Sequence, residues 1–119
     1  MAEWSVIFYR TAAGDSPIAE YLDNVGPAEA AKVGHDLALL RSRGLSLGFP
    51  QVSHIEGKIF ELRVRGGQAH RILYFATSGQ RFVLLSAFTK RTAKTPKREV
   101  EVARARMEDF ERRHQKGEL

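Results

Sequence analysis

The sequence lacks several features that define common functional classes. It contains no cysteine, which excludes disulfide bridges and thiolate metal sites. No apolar run approaches the roughly 18 residues of a membrane span, and the first residues lack the basic and then apolar blocks of a signal peptide. The motifs GxxxxGKS/T, GxGxxG and HExxH are missing, and the four histidines are not at metal-ligand spacing. We therefore expect a cytoplasmic protein without a metal or a cofactor.

The length and the charge distribution indicate one basic domain. A chain of 119 residues is the size of a single compact domain, which we expect to span residues 1–119. Residues 1–57 contain 4 Lys/Arg and 7 Asp/Glu, whereas residues 58–119 contain 15 Lys/Arg and 7 Asp/Glu. This asymmetry predicts a polyanion-binding face built by the second half. A merely solvated basic surface is the alternative.

The first half of the chain predicts one strand followed by two helices. The aromatic and β-branched run Trp4–Tyr9 is typical of a strand. Ser16 before Pro17 is a helix-start signal, which the Gly-Pro pair at 26–27 repeats. Apolar residues at helical spacing continue to Gly44, where the second helix should end. Residues 45–57 are punctuated by glycine and proline and are predicted to form a loop.

The second half predicts three strands and a last helix. Apolar runs over 58–65, 69–77 and 81–89 are separated by short glycine turns, which join antiparallel neighbours. A helix should begin at Thr95-Pro96, and residues 112–119 should form a flexible tail. The predicted fold is α+β, in the order β-α-α-β-β-β-α. It has a four-stranded antiparallel sheet, two N-terminal helices on one face and a C-terminal helix.

Charged residues are unusually dense on the predicted central strands. Alternation places Glu61, Arg63 and Arg65 on one face of their strand. A two-residue turn after this strand would place Arg63 opposite His70, and a three-residue turn would place it opposite Arg71. A slip of one residue reverses every side chain, so the sequence leaves both registers open. An ion pair with Glu61 is an alternative role for Arg71.

A cluster of cations lies between the last strand and the last helix. No acid occurs between positions 90 and 98, which contain Lys90, Arg91, Lys94, Lys97 and Arg98. The dipole of a helix N-terminus disfavours nearby cations, and a bound phosphate would offset that cost. A soluble basic loop without a ligand is the alternative.

Four groups of residues, in order and similarly spaced, resemble the HigB-like, phage-derived branch of the RelE toxin superfamily. They are Tyr9-Arg10-Thr11 with Ser16-Pro17-Ile18, Phe60-Glu61-Leu62-Arg63 with His70-Arg71-Ile72-Leu73-Tyr74, Phe88-Thr89-Lys90-Arg91-Thr92 with Lys94-Thr95-Pro96, and Glu99, Ala103 and Arg106 in the last helix. The resemblance implies a RelE-like fold of four strands with two helices on one face. It also implies metal-free cleavage of messenger RNA, generally on the translating ribosome. An antitoxin partner, often a helix-turn-helix protein, is implied too.

The resemblance also implies roles for individual residues. Arg63 and Arg71 match basic positions on adjacent central strands, and Lys90 and Arg91 match the cluster at the end of the last strand. Glu61 matches the family's acid. Some relatives use a tyrosine or histidine near the last helix, a position that neither Phe110 nor His114 fits.

These matches suggest a mechanism of RNA cleavage. Arg63 and Arg71 would clamp the scissile phosphate, with Glu61 or Lys90 as the general base and His70 as an alternative. A non-catalytic module that binds nucleic acid or an antitoxin through the same basic face is the competing hypothesis. The residues expected to contact RNA around this centre are Arg65, His70, Arg91, Lys94, Lys97 and Arg98.

Overall fold

The computed structural model describes residues 3–64 and 68–117. In these ranges the chain forms a five-stranded mixed sheet and three α-helices. The elements are β1 (Ser5–Phe8), α1 (Pro17–Val25), α2 (Pro27–Arg43), β2 (Val52–Glu56), β3 (Ile59–Val64), β4 (His70–Thr77), β5 (Arg81–Thr89) and α3 (Lys97–Gln115). The strand order is β1-β5-β4-β3-β2, with β1 parallel to β5 and the other neighbours antiparallel.

The α+β class is confirmed, but the predicted sheet of four antiparallel strands is wrong in two respects. Residues 45–57 contain β2, which pairs with β3 across a turn at Gly57, where φ is +51°. The glycine and proline residues around this short edge strand led to the prediction of a loop. Only Val52 within the strand is buried. The other difference is the direction of β1. Two helices separate it from the later strands, so it can join β5 in parallel without a tight turn.

The helix boundaries follow local signals in the sequence. Ser16 accepts a hydrogen bond from the Ala19 amide at 3.4 Å, and a proline occupies the first turn of both α1 and α2. Gly44 ends α2 with φ +58°, and a Cβ there would lie 2.5 Å from Trp4 Nε1. Glycine is therefore required at this position both by the backbone angle and by the packed indole.

The sheet has an apolar cluster on each face. The cluster between the sheet and helices α1 and α2 includes Ile18, Val33, Leu37 and Leu40 from the helices and Leu62, Val64, Ile72, Tyr74, Phe82 and Leu84 from the strands. The cluster between the sheet and α3 includes Val100, Ala103 and Phe110 from the helix and Ile59, Leu73, Phe75, Val83 and Leu85 from the strands. The charged face of β3 therefore lies on the covered, α3 side of the sheet. None of the helices in the described ranges has the length and apolar character of a membrane span.

The last helix extends further than the sequence indicated. Residues 112–115, which were predicted to belong to a tail, continue α3. Arg113 anchors this turn, because its Nη2 lies 2.6 Å from Asp109 Oδ2 and its guanidinium lies 5.5 Å from the Tyr9 ring centroid. Tyr9 also donates a hydrogen bond to Asp109 at 2.5 Å. These hydrogen bonds, that of Tyr9 first, lower the pKa of Asp109.

Candidate functional site

The register between β3 and β4 places two arginines side by side. Arg63 lies opposite Arg71, and Val64 lies opposite His70. The sequence left two registers open, and this is the one that was expected from a three-residue turn. Residues opposite each other on antiparallel strands share a face, so both arginines lie on the α3 side. Arg65 lies outside the described residues.

Glu61 lies beneath the arginine pair and is almost completely enclosed. Its side chain is 1% exposed, and its Oε1 lies 3.5 Å from Arg63 Nε and 3.9 Å from Arg71 Nε. Oε2 accepts a hydrogen bond from the Thr95 hydroxyl at 2.5 Å. A carboxylate so enclosed is better placed to orient two guanidinium groups than to reach a substrate. The structure contains the ion pair between Arg71 and Glu61 that the sequence analysis gave as an alternative role for Arg71.

Both arginines have further contacts that fix their orientation. Arg71 Nη1 donates a hydrogen bond to the backbone carbonyl of His70 at 3.0 Å. The guanidinium of Arg63 lies 5.5 Å from the centroid of the Phe49 ring. The side chains remain 29% exposed for Arg63 and 16% for Arg71. Their charge can therefore reach a ligand at the surface.

An open depression beside the pair, which we call the basic hollow, has a volume of about 480 Å³. Its lining in the described part of the chain includes four cations and no acid. The residues that line it are Arg63, Ala69, Arg71, Lys90, Arg91, Thr92 and Ala93. The Lys90 amide donates to the Ala69 carbonyl at 2.8 Å, which continues the β4–β5 pairing beyond the strand ends. This is an electropositive surface, whose charge suits an anionic ligand.

The other cations of the predicted cluster lie outside the basic hollow. Lys94 is exposed on the loop before α3, and Lys97 and Arg98 are exposed in the first turn of α3. No side-chain cap completes this helix start, whose N-cap is Pro96. These cations can add to the electrostatic potential around the hollow without lining it.

His70, expected to contact RNA, is instead an interior residue. It is 0% exposed and lies on the α1–α2 side of the sheet, because Arg71 takes the other side. Its Nδ1 lies 2.6 Å from the Tyr21 hydroxyl, and its Nε2 lies 2.8 Å from Glu29 Oε1. Hydrogen bonds from Lys32 and then from His70 lower the pKa of Glu29 to about 2. The imidazole joins α1 and α2 to β4 and is buried away from the protein surface.

Sequence reasoning missed three parts of this region. Thr95 appeared as a helix-start signal and within a segment that resembles the toxins, with no role of its own, although its hydroxyl contacts Glu61. The partners of His70, Tyr21 and Glu29, are separated from it by 49 and 41 positions, so no local pattern joins them. Phe49 lay in the predicted loop and is 79% exposed. The one sequence signal that could have singled out Phe49 is the presence of a large aromatic residue between Gly48 and Pro50.

Comparison with known proteins identifies the family. The profile of the phage-derived Gp49-like proteins (DUF891) matches residues 20–108, which span α1 to α3 and include every residue that lines the basic hollow. A comparison with curated proteins found no match. The chain belongs to the phage-derived Gp49-like family, which is a RelE/toxin-like family.

Proposed function

We propose that this protein is the toxin of a type II toxin–antitoxin system, from the HigB-like branch, and that it cleaves messenger RNA without a metal. The observation that best supports the proposal is the pair of Arg63 and Arg71 on adjacent strands, held by one buried carboxylate at the rim of the basic hollow. The RelE/toxin-like family is consistent with it. The proposed substrate is messenger RNA on the translating ribosome, which would align the strand for so sparse a site.

In the proposed reaction the RNA supplies its own nucleophile. The 2′-oxygen loses its proton and attacks the adjacent phosphorus, and the bond from phosphorus to the 5′-oxygen breaks. The products are a 2′,3′-cyclic phosphate and a 5′-hydroxyl, whose oxygen takes up a proton. Negative charge grows on the phosphoryl oxygens in the transition state, where Arg63 and Arg71 would stabilise it. The fork of donors on arginine suits two such oxygens.

Lys90 is the better of the two candidates for the general base. It lines the basic hollow beside both arginines, whereas Glu61 is enclosed by its partners. Glu61 would instead act through the arginines as a positioning residue. Arg91 lines the same hollow and would bind a phosphate of the substrate strand.

A non-catalytic module is the second candidate function. The observation in its favour is that the described lining of the basic hollow contains four cations and no acid, so no carboxylate in that lining pairs with Lys90 for acid–base work. Such a module would bind RNA or an acidic segment of an antitoxin. A pure charge contact tolerates Arg63→Lys, whereas a bidentate clamp on a transition state does not.

We also propose a cognate antitoxin, a helix-turn-helix protein, which would bind the toxin and neutralise it. This proposal rests on the resemblance to HigB-like toxins and on the family. The expected observation is that co-expression of the antitoxin restores growth. The proposal would be contradicted if the chain arrests growth and no protein encoded beside its gene relieves the arrest.

The proposed function can be tested by induced expression of the wild-type chain, Arg71→Ala and Arg71→Lys. Growth and the integrity of messenger RNA would be followed at matched levels of soluble protein. We expect arrest and cut transcripts for the wild type alone. Arrest by all three proteins would remove Arg71 from the chemistry. Intact transcripts from a well-expressed wild type would favour the binding module.

A further inference from the structure

Phe49 is an aromatic side chain in a position that packing does not explain. It is 79% exposed, so its ring contributes little to either apolar cluster. Exposure of a large aromatic ring is unfavourable in water, and proteins that bind single-stranded nucleic acids use exposed aromatic rings beside cations as stacking surfaces. Its one recorded ring contact in the described ranges is with the guanidinium of Arg63, at 5.5 Å from the ring centroid.

Arg63 connects this ring to the basic hollow and to a second depression. The second depression has a volume of about 400 Å³ and is lined by His35, Asp36, Leu39, Gln51 and Arg63. Arg63 therefore borders two adjacent concave surfaces and contacts Phe49. One surface is cationic, and the other offers an imidazole, a carboxylate and an amide, groups that can hydrogen-bond to a nucleobase.

We propose that Phe49 is a base-stacking residue, on which the nucleobase next to the bound phosphate packs. This inference rests on the proposed function, because it takes single-stranded RNA as the ligand. An unpaired nucleotide presents a phosphate and an aromatic base, and proteins bind such strands through cations and exposed aromatic rings together. The charge of the adjoining hollow favours RNA over an apolar protein partner as the occupant.

The proposal assigns Phe49 to substrate binding and not to the chemistry. Stacking on a ring is tolerant of base identity, so Phe49 would hold the strand in place without strict sequence preference. Arg63 would orient the ring through its cation–π contact and at the same time hold the phosphate. The two contacts together would fix both ends of one nucleotide unit.

Binding of a short, dye-labelled single-stranded RNA tests this inference directly. We expect Phe49→Ala to weaken binding roughly 5- to 100-fold, Phe49→Leu to weaken it nearly as much, and Phe49→Trp to retain it. The RNA should quench the tryptophan fluorescence of Phe49→Trp more strongly than that of the wild type, which comes from Trp4. Leu45→Ala is the matched control, because Leu45 is the other large exposed apolar residue of the described chain, at 72% exposure.

The outcomes separate this inference from the proposed function. RNA binding that depends on Arg71 but is equal in Phe49→Ala and wild type would overturn the stacking role and leave the proposed function intact. A wild type that neither binds the RNA nor cuts messenger RNA during translation would overturn both. If Phe49→Ala binds RNA normally and instead loses binding of a partner protein, the ring belongs to a protein interface. An RNA with an abasic position should lose affinity for wild type but not for Phe49→Ala.

Discussion

At the scale of single residues, the central feature is one buried carboxylate that serves two arginines. Glu61 is 1% exposed, and its single charge partly offsets the two charges of Arg63 and Arg71. Two guanidinium groups placed side by side repel each other, and the enclosed carboxylate reduces that repulsion. Thr95 holds the other carboxylate oxygen and so ties the loop before α3 to the same centre. Glu61 thus contributes to the shape of the site without facing the ligand.

The first prediction concerns this carboxylate. Glu61→Gln keeps the size of the side chain and an oxygen for Thr95, but leaves two partly buried cations without their counter-charge. We expect the free energy of unfolding to fall by about 1–3 kcal/mol in urea titrations. The control is Glu111→Gln, which breaks the exposed ion pair with Lys58 and should cost less than about 1 kcal/mol. Equal stability of the two variants would contradict the role given to Glu61.

At the scale of elements, His70 and Glu29 join β4 to α2. Glu29 accepts hydrogen bonds from Lys32 and His70, which lower its pKa to about 2 from the usual 4.5. A carboxyl whose pKa is depressed in the folded state stabilises the fold above its unfolded pKa. That contribution is lost as the pH falls through the folded pKa. The relevant window therefore lies between pH 4.5 and about 2.

The second prediction follows from this window. The wild type should lose stability as the pH falls through it, and Glu29→Gln should show a flatter profile there. Denaturant unfolding at a series of pH values measures the difference between the two proteins. Glu20→Gln, a change at an exposed glutamate of α1, is the control and should follow the wild type. A Glu29→Gln profile parallel to that of the wild type would refute the assignment.

The distribution of charge along α3 leads to a third prediction. Lys97 and Arg98 lie at the end where the helix dipole disfavours cations, and Arg112 and Lys116 lie at the end where it favours them. We expect Lys97→Gln with Arg98→Gln to raise the free energy of unfolding by about 0.5–1 kcal/mol. The control pair, Arg112→Gln with Lys116→Gln, changes the net charge equally and should lower the stability slightly. Thermal or urea unfolding at low salt gives both values.

The elements with strong local signals could be predicted from the sequence, and those defined by distant partners could not. The helix starts at Pro17 and Pro27 have a proline in the first turn and apolar periodicity within a few residues, and the sequence predicted both. The strand Val52–Glu56 has little burial of its own and depends on its pairing with β3. The face of His70 depended on the register of one turn, which composition does not determine. The sequence therefore predicted Arg63, Arg71, Glu61 and Lys90 as site residues, without the contacts that order them.

At the scale of the whole molecule, the uneven charge of the chain places many of its cations together on one part of the surface. The second half holds 15 of the 19 Lys/Arg residues, and four cations line the basic hollow, beside which α3 begins. A polyanion bound there releases condensed counterions, so its affinity should fall steeply with salt concentration. The number of phosphates contacted sets that slope, and the slope shows how far the strand extends beyond the hollow.

The last prediction uses this slope with the two charge-matched pairs. If the RNA extends from the basic hollow over the start of α3, Lys97→Gln with Arg98→Gln should reduce the slope of log affinity against log salt by about 1.4, since each phosphate contact on a single strand contributes about 0.7. Arg112 and Lys116 lie roughly 25 Å from Lys97 and Arg98 along the helix. Arg112→Gln with Lys116→Gln should therefore leave the slope unchanged. Both pairs lower the net charge by the same amount, so a change common to both would indicate a general field effect. Only a change confined to the first pair indicates direct phosphate contacts at the start of α3.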